Sequence, residues 1–158
     1  MKNLIPKVLI GAPTSSRHGH LLDEWIKSLD SFTYPNIDIL LVDTSESDDY
    51  FKILKKQKVH DKSISVTRNP WNPEKTSILQ HLAHNREEIR QYAIDNDYDF
   101  LFFLDTDIFL PENSIQKLLS RNRDCVGFYV HIYNKKNHRP CILKSGGFEM
   151  GKPLDLFT

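Results

Sequence analysis

The run Phe100-Leu101-Phe102-Phe103-Leu104 leads straight into Asp105-Thr106-Asp107, and this junction constrains the fold more than any other stretch. An apolar run of that length, with Asp97-Tyr98-Asp99 before it and Pro111 after it, reads as a central strand buried on both faces. The two acids then stand at its C-terminal end, where open α/β sheets collect their ligands. Residues two apart on extended backbone point to one side, so Asp105 and Asp107 are expected to converge. Carboxylates that close repel one another unless a proton or a cation joins them. A divalent metal carrying phosphate fits, since Mg²⁺ takes one or two protein carboxylates and completes its shell with water and phosphate oxygens.

Strands and helices alternate along the rest of the chain. Strands are expected at Lys7 to Ala12, Ile37 to Val42 and Ser63 to Thr67, and a fifth at Cys125 to Ile132. Between them, Leu21 to Phe32 has apolar residues at Leu22, Trp25, Ile26 and Leu29, the spacing of one helical face. Ser47 to Lys56 opens with cap-type residues, and Ser77 to Asp95 reads as a long helix with Ile78, Leu82, Ile89 and Ala93 on one face. Pro111 stands at the entry of a further helix, Glu112 to Ser120. Repeated β-α-β units with right-handed crossovers imply a mostly parallel sheet covered by helices. Three strand ends then share one rim: Pro13-Thr14, Asp43-Thr44-Ser45 and Asp105-Thr106-Asp107.

The chain has 158 residues, 21 basic and 21 acidic. That length suits one domain with a core of its own, and a formal charge of zero gives no overall field to attract nucleic acid or anionic membrane. No apolar stretch approaches the roughly 20 residues of a membrane helix, so a cytoplasmic protein is expected, with peripheral membrane attachment left open. Cys125 and Cys141 lack metal-ligand spacing and read as buried thiols.

Pro-Thr after the first strand, Val-Asp-Thr-Ser after the second, Ala83-His84-Asn85-Arg86 in the long helix and Phe-Leu-Asp-x-Asp at a strand end together resemble nucleotide-sugar glycosyltransferases of the GT-A fold. The likeness is to family two, whose last element is the DxD motif, and it covers roughly residues 7 to 132. It implies a three-layer α/β/α sandwich around a Rossmann-like sheet. It also implies transfer of a sugar, such as a hexose, from a UDP- or GDP-linked donor to a glycan, lipid or protein acceptor. By resemblance, Pro13 and Thr14 lie beside the base, Asp43 accepts a hydrogen bond from it, and Arg86 and Thr106 belong to the donor site. Asp105 faces the ribose or a metal-bound water, and Asp107 ligates the Mn²⁺ or Mg²⁺ that bridges the diphosphate.

The chain departs from the family pattern in two places. Thr44 replaces the second acid of the family's Asp-Asp-Gly-Ser. Inverting members also place a carboxylate base well downstream of DxD, where this chain offers only Glu149 and Asp155 after Asp124. Glu149, in a Gly-rich segment, is the one weak candidate. The expectation is a single GT-A-like domain over residues 1–158 that lacks part of the acceptor half.

Other readings stand beside these. Asp43 could cap the following turn through Ser45 and Ser47, and Arg86 could pair with Glu87 on a solvated face. His18-Gly19-His20 lacks a third ligand at usable spacing, and His81 and His84 read as packed or solvent-facing. Trp25 reads as core, whereas Trp71 on its Pro- and Asn-rich loop could stack on a base or sugar. A haloacid-dehalogenase-type phosphatase shares Asp-x-Asp after an apolar strand, but its motif normally opens the domain. A non-catalytic nucleotide-sugar-binding domain is the non-enzyme alternative.

Overall fold

Among the described residues, Val8–Thr14 (β1) and Ile37–Asp43 (β2) are the most thoroughly buried segments. In the computed structural model, residues 5–127 are described in full, together with the backbone of 131–134 and 137–140. Two compact units appear, Met1–Lys117 and Leu118–Thr158.

In the first unit β1 and β2 pair in parallel with Ser63–Arg68 (β3) and Phe100–Phe103 (β4), in the order β3-β2-β1-β4. Near-continuous Val, Ile and Leu in β1 and β2 match strands covered on both faces. The sheet is all parallel, as expected, but β4 is its outer strand among the described residues rather than a central one. Phe100 and Phe103 remain 42% and 39% exposed. The apolar run at β4 signalled a strand correctly but not its rank in the sheet, because its apolar side chains are only partly covered. Leu101 reaches the core, and the phenylalanines at the strand ends do not.

Three helices cover this sheet. A 3-10 segment at Ser16–Leu21 precedes Leu22–Asp30 (α1), so the regular helix begins one residue after its expected start. Asp48–Leu54 (α2) is capped by Ser47, whose hydroxyl accepts from the Asp49 N–H. Ile78–Asp95 (α3) opens with a capping box between Ser77 and Gln80, which satisfies two of its free N-terminal donors. The first two crossovers step toward β3 and the third steps back past β1. Right-handed crossovers therefore put α3 on the face opposite α1 and α2. Side chains agree: α3 buries Ile89 and Ala93 against Leu9, Leu40 and Val42, while Tyr50 of α2 hydrogen-bonds Thr14, whose side chain lies on the other face. The result is the expected three-layer sandwich.

Gly11 in β1 is where α3 comes closest. A Cβ there would lie 2.2 Å from Ile89 Cγ2, so only glycine allows the approach. Helix α3 ends in a Schellman turn: Tyr98 N–H donates to Ala93 O, Asp97 N–H donates to Ile94 O, and Asp97 adopts φ 54°. The buried face of α3 is His81, Asn85, Ile89 and Ala93. Ile78 and Leu82, expected on that face, are 49% and 39% exposed, because the apolar contacts of α3 are made further along, at Ile89 and Ala93.

Ser114–Leu119 (α4) replaces the longer helix expected from Glu112. In the second unit, His131–Asn134 (β5) pairs antiparallel with Asn137–Pro140 (β6). The strand expected at Cys125 to Ile132 and added to the parallel sheet is therefore corrected: Cys125 and Val126 lie outside any strand, and β5 belongs to a hairpin. Asn134 pairs with Asn137, so only two residues separate the strands in sequence, too few for a parallel crossover. Cys125 is exposed, not buried. Cys141, Glu149 and Asp155 lie outside the described residues. Among the described residues, no helix is long and apolar enough to cross a membrane.

Candidate functional site

Strand order β3-β2-β1-β4 reverses chain direction at β1, and the C-terminal ends of β1 and β4 flank that switch point, the position at which open α/β sheets bind ligands. Thr14 ends β1, and its Oγ1 lies 3.1 Å from Thr106 Oγ1 and 3.2 Å from Tyr50 Oη. Both threonines are 3% exposed. Burial pushes the Tyr50 hydroxyl above its ordinary range, the Thr14 hydrogen bond works against that, and the nearby Asp43 charge adds to it. Tyr50 therefore remains a neutral hydroxyl anchoring Thr14.

The Thr14–Thr106 bond fixes how the acidic segment is presented. Thr106 turns inward, leaving Asp105 partly exposed and Asp107 exposed on either side of it. The acids stand beyond the strand, in a turn closed by Ile108 N–H donating to Asp105 O at 3.0 Å. Arg86 of α3 reaches this turn, with one terminal nitrogen 3.3 and 3.4 Å from the two Asp105 oxygens and its guanidinium 5.8 Å from the Phe103 ring centroid. Arg86 thus pairs with Asp105, while Glu87 is taken by Arg90. Among the described residues no cluster of three or more His, Cys, Asp or Glu side chains could hold a metal. Asp105 and Asp107 supply hard oxygen donors at an open rim, a donor set that suits Mg²⁺ or Mn²⁺ with water and phosphate completing the shell.

Asp43 ends β2 and is completely buried. Its Oδ1 accepts from the Ser45 N–H at 2.9 Å, the capping contact, while Oδ2 has no hydrogen-bond partner among the described residues. Arg68, paired with Asp43 across the β2–β3 ladder, stands 3.9 Å from that oxygen through Nε. Its guanidinium also donates to the Ser45 and Glu46 carbonyls and pairs with Asp48. Arg68 thereby holds the loop after β2 in shape. Three further contacts join this loop to the one after β1: Thr44 donates to Thr14 O through its N–H at 2.8 Å and its hydroxyl at 2.9 Å, and Ser16 N–H donates to Ser45 Oγ at 2.8 Å.

Between these loops and the start of α3 lies a cleft of about 550 Å³. Ser15 to His18 form one wall, Thr44 to Ser47 another, and Trp71, Ile78, His81 and Leu82 the third. Trp71 is held by its indole N–H donating to Thr76 O at 3.1 Å. Pro13, Thr14 and Asp43 stand just behind this lining, and Arg86, Asp105, Thr106 and Asp107 lie beside β1 rather than in the cleft wall. Sequence reasoning missed Arg68, Asn69 and the inward placement of Asn85, while His81 takes the packed one of its two expected placements. Asn69 donates to Asn85 Oδ1 at 2.7 Å. Arg68 was legible in principle as a base ending the strand beside one that ends in Asp43.

Sequence comparison matches residues 11–143, most of the chain, to Glycosyl transferase family 2. Comparison with curated proteins finds no match. Among solved structures, the mannosyltransferase PcManGT from Pyrobaculum calidifontis, in complex with GDP-Man and Mn2+, is similar with a TM-score of 0.55 and 15% identity, over 74% of this chain and 32% of that one. TarS 1-349 from S. aureus is similar with a TM-score of 0.50 in complex with UDP (14% identity, 72% and 31% covered) and in complex with UDP-GlcNAc (16% identity, 72% and 30% covered). The chain spans about a third of the length of these structures. At such identities the likeness establishes the fold, while the family match assigns the sequence. It also leaves the phosphatase reading of Asp-x-Asp without support. The chain belongs to glycosyl transferase family 2, and its α/β sandwich is that of the GT-A glycosyltransferases.

Proposed function

We propose that this chain binds a nucleoside-diphosphate sugar as the donor half of a metal-dependent glycosyltransferase. The observation that carries this reading is the Thr14–Thr106 hydrogen bond across the switch point, which presents Asp105 and Asp107 at the rim beside the cleft between the β1 and β2 loops. The solved relatives bound to GDP-Man, UDP and UDP-GlcNAc support it.

In this reading the cleft takes the nucleoside and the Asp105–Asp107 turn takes the diphosphate. Asp105 and Asp107 would hold Mn²⁺ or Mg²⁺, which when bound offsets charge on the diphosphate leaving group. Arg86 stands beside them and offers a planar cation to a phosphate oxygen. Asp43 supplies an acceptor behind the cleft: uracil and guanine carry a ring N–H that it could receive, and adenine does not. Its Oδ2 has no hydrogen-bond partner among the described residues. The base that activates an acceptor is assigned to no described residue.

Thermal shift against UDP-, GDP- and ADP-linked sugars, with and without Mn²⁺, tests the reading. UDP- or GDP-linked donors should raise Tm in Mn²⁺, and ADP-linked donors should do so less. In Asp43→Asn, which preserves the Oδ1 contact to Ser45, that preference should flatten. Equal responses to all three bases in the wild type would remove the base-reading role of Asp43. No response to any donor would remove the donor-binding reading.

A further inference from the structure

The buried face of α3 changes character along its length. Ile89 and Ala93 are apolar and sit on the sheet, whereas His81 and Asn85, two turns and one turn nearer the N-terminus than Ile89, are polar yet 7% and 0% exposed. His81 Nε2 and Asn85 Nδ2 are both buried without a hydrogen-bond partner among the described residues. A buried polar atom left unpaired is destabilising, and such atoms are few in folded proteins. Asn85 has at least its contact from Asn69. His81 is one of the residues that line the cleft, so a ligand bound there is a candidate partner for its unpaired nitrogen.

We infer that His81 is a specificity-determining residue of this cleft, its Nε2 hydrogen-bonding the nucleobase of a bound nucleoside diphosphate. The inference rests on the donor-binding reading and names a recognition residue within it. Placement favours the base over the phosphates. His81 is five residues before Arg86, about 7.5 Å along the helix axis at 1.5 Å per residue, and its neighbours Trp71, Ile78 and Leu82 give the apolar walls that suit a flat heterocycle. The soft, roughly two-fold χ2 torsion of an imidazole lets Nε2 turn toward the cleft. A neutral imidazole offers one donor and one acceptor nitrogen, so it can meet either a base carbonyl or a base N–H.

The test is calorimetric titration of UDP, GDP and pyrophosphate in Mn²⁺, together with thermal melting without ligand. The full chain is compared as wild type, His81→Leu and His81→Gln. His81→Leu should weaken the better-bound nucleotide about tenfold and leave pyrophosphate unchanged, while its ligand-free Tm stays level or rises because an orphaned polar atom has been removed. His81→Gln keeps a polar amide near the same place and should retain most of the affinity. Nucleotide binding unchanged in His81→Leu would overturn the inference while leaving the donor site intact. So would equal loss for pyrophosphate, or a lowered Tm in both variants with unchanged affinity, which would mark a structural histidine. A wild type that binds none of the nucleotides would instead overturn the donor-binding reading, and this inference with it.

Discussion

At the scale of single residues, small polar groups in fixed pairs set the rim. Thr14 and Thr106 are joined to each other and to Tyr50, and this leaves the neighbouring carboxylates facing outward. At the opposite end of the sheet, Tyr98 donates to Asp38 Oδ2 at 2.8 Å, and Lys7 Nζ lies 3.8 Å above its ring. Burial first, then the hydrogen bond to Asp38 and its charge, then Tyr92, push the Tyr98 hydroxyl well above the ordinary tyrosine range. An unfolded tyrosine ionises near pH 10. A raised folded value means the contribution is complete below about pH 10 and is lost as pH climbs from there toward the folded value. Wild-type Tm should therefore fall more steeply above about pH 10 than that of Tyr98→Phe, and parallel curves would refute this role. Asp43, Asp105 and Asp107 were legible from sequence because acids that end apolar strands are conspicuous. Asn85 was not, because a polar residue on a helix reads as solvent-facing until the neighbouring loops are known to cover it, and for His81 the packed and solvent-facing readings both stood.

At the scale of elements, β1 and α3 are fitted to one another. Gly11 leaves the space that Ile89 Cγ2 fills. Gly11→Ala should lower stability in urea by about 1–3 kcal/mol, as overpacking does in a tight core. Ile89→Ala alone leaves a cavity, yet combined with Gly11→Ala it should destabilise less than the sum of the two. Simple additivity would place the clash elsewhere. The elements themselves were readable from periodicity and caps: β2, the Ser47 cap and the long helix α3 fall where the pattern puts them. The rank of β4 was not readable, since an apolar run reports burial in general and not which neighbours provide it. Helix α3 misled for a related reason. Counting Ile78 and Leu82 with Ile89 assumes a core along the whole helix, whereas the apolar cluster beneath α3 is built at Ile89 and Ala93.

At the scale of the molecule, chain direction does the positioning. Two crossovers run toward β3 and one runs back, which brings the ends of β1 and β4 together at the switch point and puts the DxD segment beside Thr14. Sequence spacing alone anticipated that shared rim, because parallel β-α-β units leave their strand ends on one side. It did not anticipate the hairpin of β5 and β6, since residues in strand-like runs pair according to the turn between them. The central claim is that Asp105 and Asp107 at this rim bind a cation that carries a nucleoside diphosphate. Titration of UDP and GDP by calorimetry in Mn²⁺ and in EDTA, on wild type and Asp107→Ala, measures it most directly. The better-bound nucleotide should bind at least about tenfold more tightly in Mn²⁺, a difference of about 1.4 kcal/mol. Asp107→Ala should lose that enhancement while melting like the wild type, because its side chain is exposed. Equal wild-type affinity in Mn²⁺ and in EDTA would contradict the claim.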